Sequence, residues 1–312
     1  MIERAIVVFL DGVGLGEDDP HINPLAGTPL PTLQAALGGA RPVLAYHGLS
    51  TPRASLLGLD AGLGVPGLPQ SGTGQTALLT GINAAALLGQ HEGPYPSPRL
   101  YNLLNGSSLF RRIVDSGRSA VFANAYTERF LGRVQRGTQR LSANARAAWQ
   151  AGLTLRGPAE LKAGQAVSAL LTNDYFRQAG YDVPQVSAEE AGATLAGLSQ
   201  DQALSYFEFW YSDVAGHRCD PDLAAHVLGM LDQFLGGLLA ALDDQRTLLL
   251  VVSDHGNLED LRSAQHTRNP ALAVLMGADH ERLAAQLHSL TDVAPALLSA
   301  LNVQYNGSTQ EQ

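Results

Sequence analysis

Apolar residues come along this chain in short unbroken runs. Ala5–Leu10 is one, "TLLLVVS" at 247–253 a second and "NPALAVLMG" at 269–277 a third. Runs of this length without alternation suit strands buried on both faces. "LSYFEFWYSD" at 204–213 reads as an aromatic-rich strand, and "RSAVFANA" at 118–125 as another. Helical patterns fall between them: Pro31–Leu37 with proline in its first turn, Gly74–Leu88 rich in Ala and Leu, Ser108–Ser116, and the long amphipathic Pro221–Leu242. Thr291 is placed to cap a helix in "DVAPALLSALN". Strands alternating with helices predict an α/β fold, an open and mostly parallel central sheet covered on both faces.

The texture changes between Tyr126 and about Gln200. Arg129, Arg133, Arg136, Arg140 and Arg146 cluster there, Pro and Gly recur, and the apolar runs shorten. This predicts a small inserted cap or lid at 126–200, with a discontinuous core at 1–125 and 201–312. The arginines read either as a solvated face or as forks for a substrate's anionic group.

Composition narrows the class. Of 312 residues, 45% are hydrophobic and 16% charged, as in an ordinary globular protein. A net charge of -9 argues against a nucleic-acid groove or an anionic membrane surface. Cys219 is the single cysteine, so no intrachain disulfide and no cysteine-rich zinc site is possible. The opening "MIERAIVVFLDGVG" lacks the long apolar stretch of a signal peptide, and no segment reads as a membrane span. The expected compartment is the cytoplasm.

Candidate chemistry sits where the apolar runs stop. Ala5–Leu10 runs into Asp11, Ser205–Tyr211 into Asp213 with His217 four residues on, and Thr247–Ser253 into Asp254 and His255. In a parallel sheet the carboxyl ends of the strands share one edge, where ligand sites collect. His266, in the following loop, can fold back over that edge. Three Asp and three His exceed the needs of one metal, and mixed oxygen and nitrogen donors suit Zn²⁺ or Mn²⁺. Two divalent ions against three carboxylates would attract an anion such as phosphate.

Ser71, in "PQSGTGQTALLTG", lies just before a predicted helix, where negative charge is favoured, and is the candidate nucleophile. Thr73 competes with it, and Gly72 and Gly74 would let a phosphate approach the backbone. No lysine follows these glycines, so this is not a P-loop. Each piece also has a plain structural reading: a strand-to-turn corner at Asp11, a Gly-rich loop at Ser71, a salt bridge between Asp213 and His217. Asp254 and His255 resist that reading, since adjacent charged groups ending a buried strand need partners. His21, His91 and His226 lack a neighbouring acid in a comparable setting, and Asp220 and Asp222 read as helix N-terminal acids.

Together "LDGVG", "SGTG", "DVAGH", "DHGNLE" and "HTRNP" resemble, in order, the motifs of the alkaline phosphatase superfamily, nearest to cofactor-independent phosphoglycerate mutase and phosphopentomutase. The likeness covers residues 2–125 and 200–303. It implies an alkaline-phosphatase-like three-layer αβα sandwich. It also implies one metal on Asp213, His217 and His266, and a second on Asp11, Asp254 and His255, with Ser71 beside it and Asn257 supporting the ligands. The implied reaction runs through a phosphoserine on a small phosphorylated metabolite. The sequence departs from the resembled mutases at Gly74-Gln75, where they have Gly-His, and in its small cap. It lacks the Pro-Arg context of the sulfatases. The expected function is therefore a phosphomonoester hydrolase, with a phosphomutase as the alternative. A non-catalytic metal-bound regulatory module is the alternative of another class.

Overall fold

The computed structural model describes residues 2–304; the end of the expected core segment, 305–312, lies outside the described residues. Among the described residues eight strands form: β1 (Arg4–Leu10), β2 (Ala54–Leu59), β3 (Ala120–Phe122), β4 (Asn124–Ala125), β5 (Val167–Ser168), β6 (Leu204–Phe209), β7 (Thr247–Ser253) and β8 (Ala271–Gly277). Six make one sheet in the order β2-β8-β7-β1-β6-β3, and β4 pairs with β5 beside it. β1 runs parallel to β6 and β7, and β3 parallel to β6. The carboxyl ends of β1, β6 and β7 therefore share one edge.

β1 shows why the sheet needs cover on both sides. Ala5, Val7 and Phe9 enter one apolar core, and Ile6, Val8 and Leu10 enter the other. The first core is closed by helices such as Ser71–Thr80, Leu109–Asp115, Ala143–Gln150 and Val293–Ala300. The second is closed by Pro31–Ala36, Ala188–Ser199 and Pro221–Ala241. The expected three-layer α/β sandwich is the observed architecture.

Several local expectations change. β8 pairs antiparallel with β7, and the unforeseen edge strand β2 pairs antiparallel with β8. The predicted helix at Gly74–Leu88 starts earlier and breaks in two, Ser71–Thr80 and Ala84–Leu88, because Gly81 turns left-handed at φ 72°. The aromatic strand stops at Phe209, so Asp213 sits in the first turn of a helix, Tyr211–Arg218, rather than on a strand end. Thr291 caps nothing: the Ser289 hydroxyl accepts from the Thr291 N–H, and Asp292 precedes the helix Val293–Ala300. Pro221–Ala241 is long and apolar enough to cross a bilayer, contrary to expectation, but half of its apolar window is buried inside the fold.

Parts of the segment 126–200, expected as an inserted cap or lid, pack into the main cores. Ala143–Gln150 puts Ala143, Ala145, Ala147 and Ala148 into the first core. Ala188–Ser199 packs along Pro221–Ala241 so closely that a side chain on Gly192 or Gly237 would strike the other backbone. The part with an apolar cluster of its own is smaller: Ala125, Leu161, Ala166, Phe176 and Val183. Small alanine-rich faces pack too tightly to stand away from the sheet, and arginine density did not reveal that.

Candidate metal centre

The ends of β1 and β7 are fastened together by their own polar groups. The Val13 N–H donates to Ser253 Oγ (2.9 Å), the Leu258 N–H to the Gly12 carbonyl (2.9 Å), and the Gly12 N–H to Asp254 Oδ1 (3.4 Å). Gly12 turns at φ +66°, and a Cβ there would lie 2.4 Å from Asp213 Oδ1. A glycine is thus required so that the Asp213 carboxylate can lie against the β1 turn. Asp213 and His217 are four apart on a helix and share a face. His266 reaches the same edge without folding back, because antiparallel β8 begins there and the β7–β8 connection never leaves it.

Two groups of candidate ligands result: Asp213, His217 and His266, and Asp11, Asp213 and His255. In the first, His217 Nε2 is 3.2 Å from Asp213 Oδ2, His266 Nε2 is 3.6 Å from Asp213 Oδ1, and the two Nε2 atoms are 3.3 Å apart. In the second, His255 Nε2 is 3.3 Å from Asp11 Oδ1. Asp213 thus borders both groups, which the motif assignment did not foresee. Asp254, expected in the second group, stands just outside it, with Oδ2 3.7 Å from His255 Nε2. The rings of His255 and His266 stack at 3.9 Å.

The far side of each ring fixes its tautomer. Nδ1 of His217, His266 and His255 faces the carbonyls of Ala264 (2.6 Å), Pro69 (2.7 Å) and Gly256 (3.3 Å). A carbonyl only accepts, so Nδ1 carries a hydrogen and Nε2 faces the cluster, where the neutral ring offers the lone pair a metal ligand requires. Asn257 Nδ2 donates to Asp213 Oδ1 (2.7 Å), aiming the carboxylate.

Left to itself, the cluster draws in protons. Burial and neighbouring carboxylates push Asp254 well up and Asp11 up from the usual range. Burial opposes a charge on His255, yet Asp254, Asp11 and Asp213 together raise it to about 10. Burial and the charge on His255 push His266 down to about 4. Asp254 Oδ2 is buried with no hydrogen-bond partner, an arrangement that costs stability unless a cation is supplied. Imidazole nitrogens and carboxylate oxygens gathered around that orphaned oxygen fit divalent cations.

Ser71 is the first residue of its helix and nearly buried. Its Oγ lies 3.0 Å from His255 Nε2 and 3.4 Å from Asp11 Oδ1. Thr73 is placed otherwise: its hydroxyl donates to the Gln70 carbonyl (3.1 Å) and accepts from the Glu92 N–H (3.2 Å), clasping the loop. A Cβ on Gly72 and Gly74 would meet the Glu92 carbonyl at 2.6 Å and the Asp254 carbonyl at 2.9 Å, so their missing side chains serve packing. Arg129, Arg133, Arg136 and Arg140 are all exposed. Arg140 stacks 4.6 Å over the ring of Tyr95, whose carbonyl lies against Gly72 at the start of the Ser71 helix.

Two acids absent from the expected site support it. Buried Glu259 accepts from the N–H groups of Gly14 and Asn257 (both 2.8 Å), from Asn269 Nδ2 (3.0 Å) and from the Thr267 hydroxyl. It ties the β1 turn to the loop that carries His266. Glu208, next to last in β6, accepts from Ser142 Oγ (3.1 Å) and Asn144 Nδ2 (3.0 Å). Between those two residues the Ala143 N–H holds Gln75, whose other end reaches Asp11 Oδ2 (3.4 Å). Burial outweighs the two hydrogen bonds and raises Glu208 to about 7. Its one sequence signal is a lone acid inside an aromatic strand.

Comparison with known proteins agrees with the geometry. A family model described as the metalloenzyme superfamily matches residues 3–305. The 2,3-bisphosphoglycerate-independent phosphoglycerate mutases of Ehrlichia ruminantium (strain Gardel) and Agrobacterium fabrum are 30% and 32% identical to it over 134 and 136 residues. Each alignment takes in 40% of this chain and 26% of the relative, so the chain matches about a quarter of their length. Among solved structures, Leishmania mexicana phosphoglycerate mutase superposes over 99% of this chain and 97% of its own, at TM-score 0.59 and 10% identity. Thermus thermophilus alkaline phosphatase superposes over 97% and 92%, at TM-score 0.53 and 14% identity; at such identities these two show the fold alone. The match across nearly all of the described residues makes this chain a member of the metalloenzyme superfamily, a metal-dependent enzyme of alkaline-phosphatase-like fold.

Proposed function

We propose that the chain is a phosphoryl-transfer enzyme that works through a phosphoserine on Ser71. It acts mainly as a phosphomonoester hydrolase on a small phosphorylated metabolite. The observation that carries this reading is the Ser71 hydroxyl, 3.0 Å from His255 Nε2 and 3.4 Å from Asp11 Oδ1, at the first position of a buried helix. Asp213, His217 and His266 would hold one divalent ion, Mn²⁺ or Zn²⁺, and Asp11, Asp254 and His255 the other, with Asp213 bordering both. Such ions supply Lewis acidity, which eases loss of the serine proton and offsets charge on the phosphoryl oxygens.

The chain's own groups do the rest. Ser71 Oγ attacks phosphorus in line, and its proton leaves toward Asp11 Oδ1, the acceptor it already faces. The bond from phosphorus to the ester oxygen breaks, and the alcohol departs with a proton from water. The positive end of the helix Ser71–Thr80 favours the negative phosphoryl group. The hydroxide left when water gave its proton to the alcohol then attacks the phosphoserine, releasing inorganic phosphate, and the serine oxygen takes its proton back from Asp11.

Gln75 favours water as the final acceptor. It stands where the resembled mutases have histidine, and its amide is engaged at both ends, by Asp11 and by the Ala143 N–H. An amide carries no titrating proton to a returning substrate hydroxyl. The mutase reading draws on the matched relatives, which bear mutase names. A panel of phosphorylated metabolites, incubated with Mn²⁺ or Zn²⁺ and scored for both free phosphate and isomerised product, separates the two. Isomer without phosphate would replace the hydrolase reading with the mutase one.

A further inference from the structure

A cavity of about 340 Å³ opens between the β4–β5 pair and the residue that follows β6. Its walls include Tyr126, Phe130, Tyr175, Phe176 and Trp210, with Ser168 and Thr127 as the polar side chains, and no charged side chain lines it. Tyr126 and Phe130 stack nearly parallel, centroids 4.4 Å apart at 8°. Trp210 and Tyr175 are 40% and 53% exposed, unusual for rings of this size beside an available apolar wall.

The cavity adjoins the metal centre through one helix. Trp210 already has helical backbone angles, φ −93° and ψ −6°, and directly precedes Tyr211–Arg218. Trp210, Asp213 and His217 follow an i, i+3, i+7 spacing and so share a helix face. The cavity wall thus lies about one helical turn, roughly 5 Å along the axis, from a candidate metal ligand. The same strand edge therefore presents an anion-seeking cluster and, beside it, an uncharged aromatic slot.

We propose that this slot binds a planar aromatic ring carried by the phosphomonoester substrate, a nucleobase or a simple aryl group. The proposal deepens the phosphatase reading and rests on it. The volume lies in the range of small-molecule sites, and several rings can offer face or edge to a flat guest. A small aliphatic acid phosphate such as phosphoglycerate gains nothing there, because its remote carboxylate would enter a space with no cation to meet it.

The test uses the full chain in two arms. In the first, without added metal, tryptophan fluorescence is followed as adenosine, uridine or phenol is titrated into a Trp149→Phe background, which leaves Trp210 as the only tryptophan. Saturable quenching by a nucleoside or by phenol is expected, and which of them quenches names the ring. Tyr175→Ala should weaken that binding by about tenfold, in line with the loss of one stacking partner. In the second arm, with Mn²⁺ or Zn²⁺, Tyr175→Ala should raise KM about tenfold for the matching aromatic phosphomonoester and leave glycerol phosphate within about twofold. Quenching without any turnover would keep the slot and remove the phosphatase reading. Absence of saturable quenching by all three probes, or equal loss on aromatic and aliphatic substrates, would overturn the proposal.

Discussion

Ser71 and Thr73 differ by two positions and by one physical fact: the direction of the hydroxyl. Thr73 is consumed by backbone partners, whereas Ser71 faces Asp11 and His255. Ser71→Ala should lower phosphate release to below about a thousandth of wild type while metal content by elemental analysis stays unchanged. Thr73→Ala should keep most activity and lose stability; the reverse pattern would move the nucleophile. Glu208 gives a pH-dependent effect. Its carboxyl is raised from 4.5 to about 7 in the fold. Below pH 4.5 it is protonated folded or unfolded, and its favourable contribution is complete. As pH rises through 7 the unfolded chain releases a proton that the folded chain still holds, so about 3 kcal/mol of stability is lost. Glu208→Gln should flatten Tm against pH between 4.5 and 7; a slope equal to wild type would refute the assignment.

The connection between β7 and β8 is the element that assembles the site. It supplies Asp254, His255, Asn257, Glu259 and His266, and it stays at the ligand edge because β8 returns antiparallel. The acids and histidines were legible in the sequence, since a polar switch after a buried apolar run needs a reason. The direction of β8 was not, because an apolar run has the same composition whichever way it is traversed. Nor was the job of Glu259, whose four partners come from three separate places in the chain. Glu259→Gln replaces one acceptor oxygen with a donor facing N–H groups. It should weaken metal binding by about 10- to 100-fold, read by metal titration, with the fold retained by circular dichroism. An unchanged affinity would leave Glu259 a purely structural residue.

For the molecule as a whole, the candidate metal centre sits where the two apolar layers end and the strands converge, so an ion bound there would stabilise the fold. Mn²⁺ or Zn²⁺ at a hundredfold over its Kd should stabilise the chain by about 3 kcal/mol, raising Tm in a chelator-reversible way. Asp254→Asn should remove most of that gain; a Tm indifferent to metal would count against the cluster as a binding site. By itself, the sequence determined the layered α/β fold and picked out the acids and histidines that the fold gathers at one edge. Both are written locally, in runs of apolar residues and in the polar groups that interrupt them. Only the tertiary structure decided that 126–200 sends helices into both main cores, that Asp213 borders both groups of candidate ligands, and that Arg140 stacks over the ring of Tyr95. Those are relations between segments distant in the chain, set by close packing of small residues and by strand direction, and no local pattern encodes them.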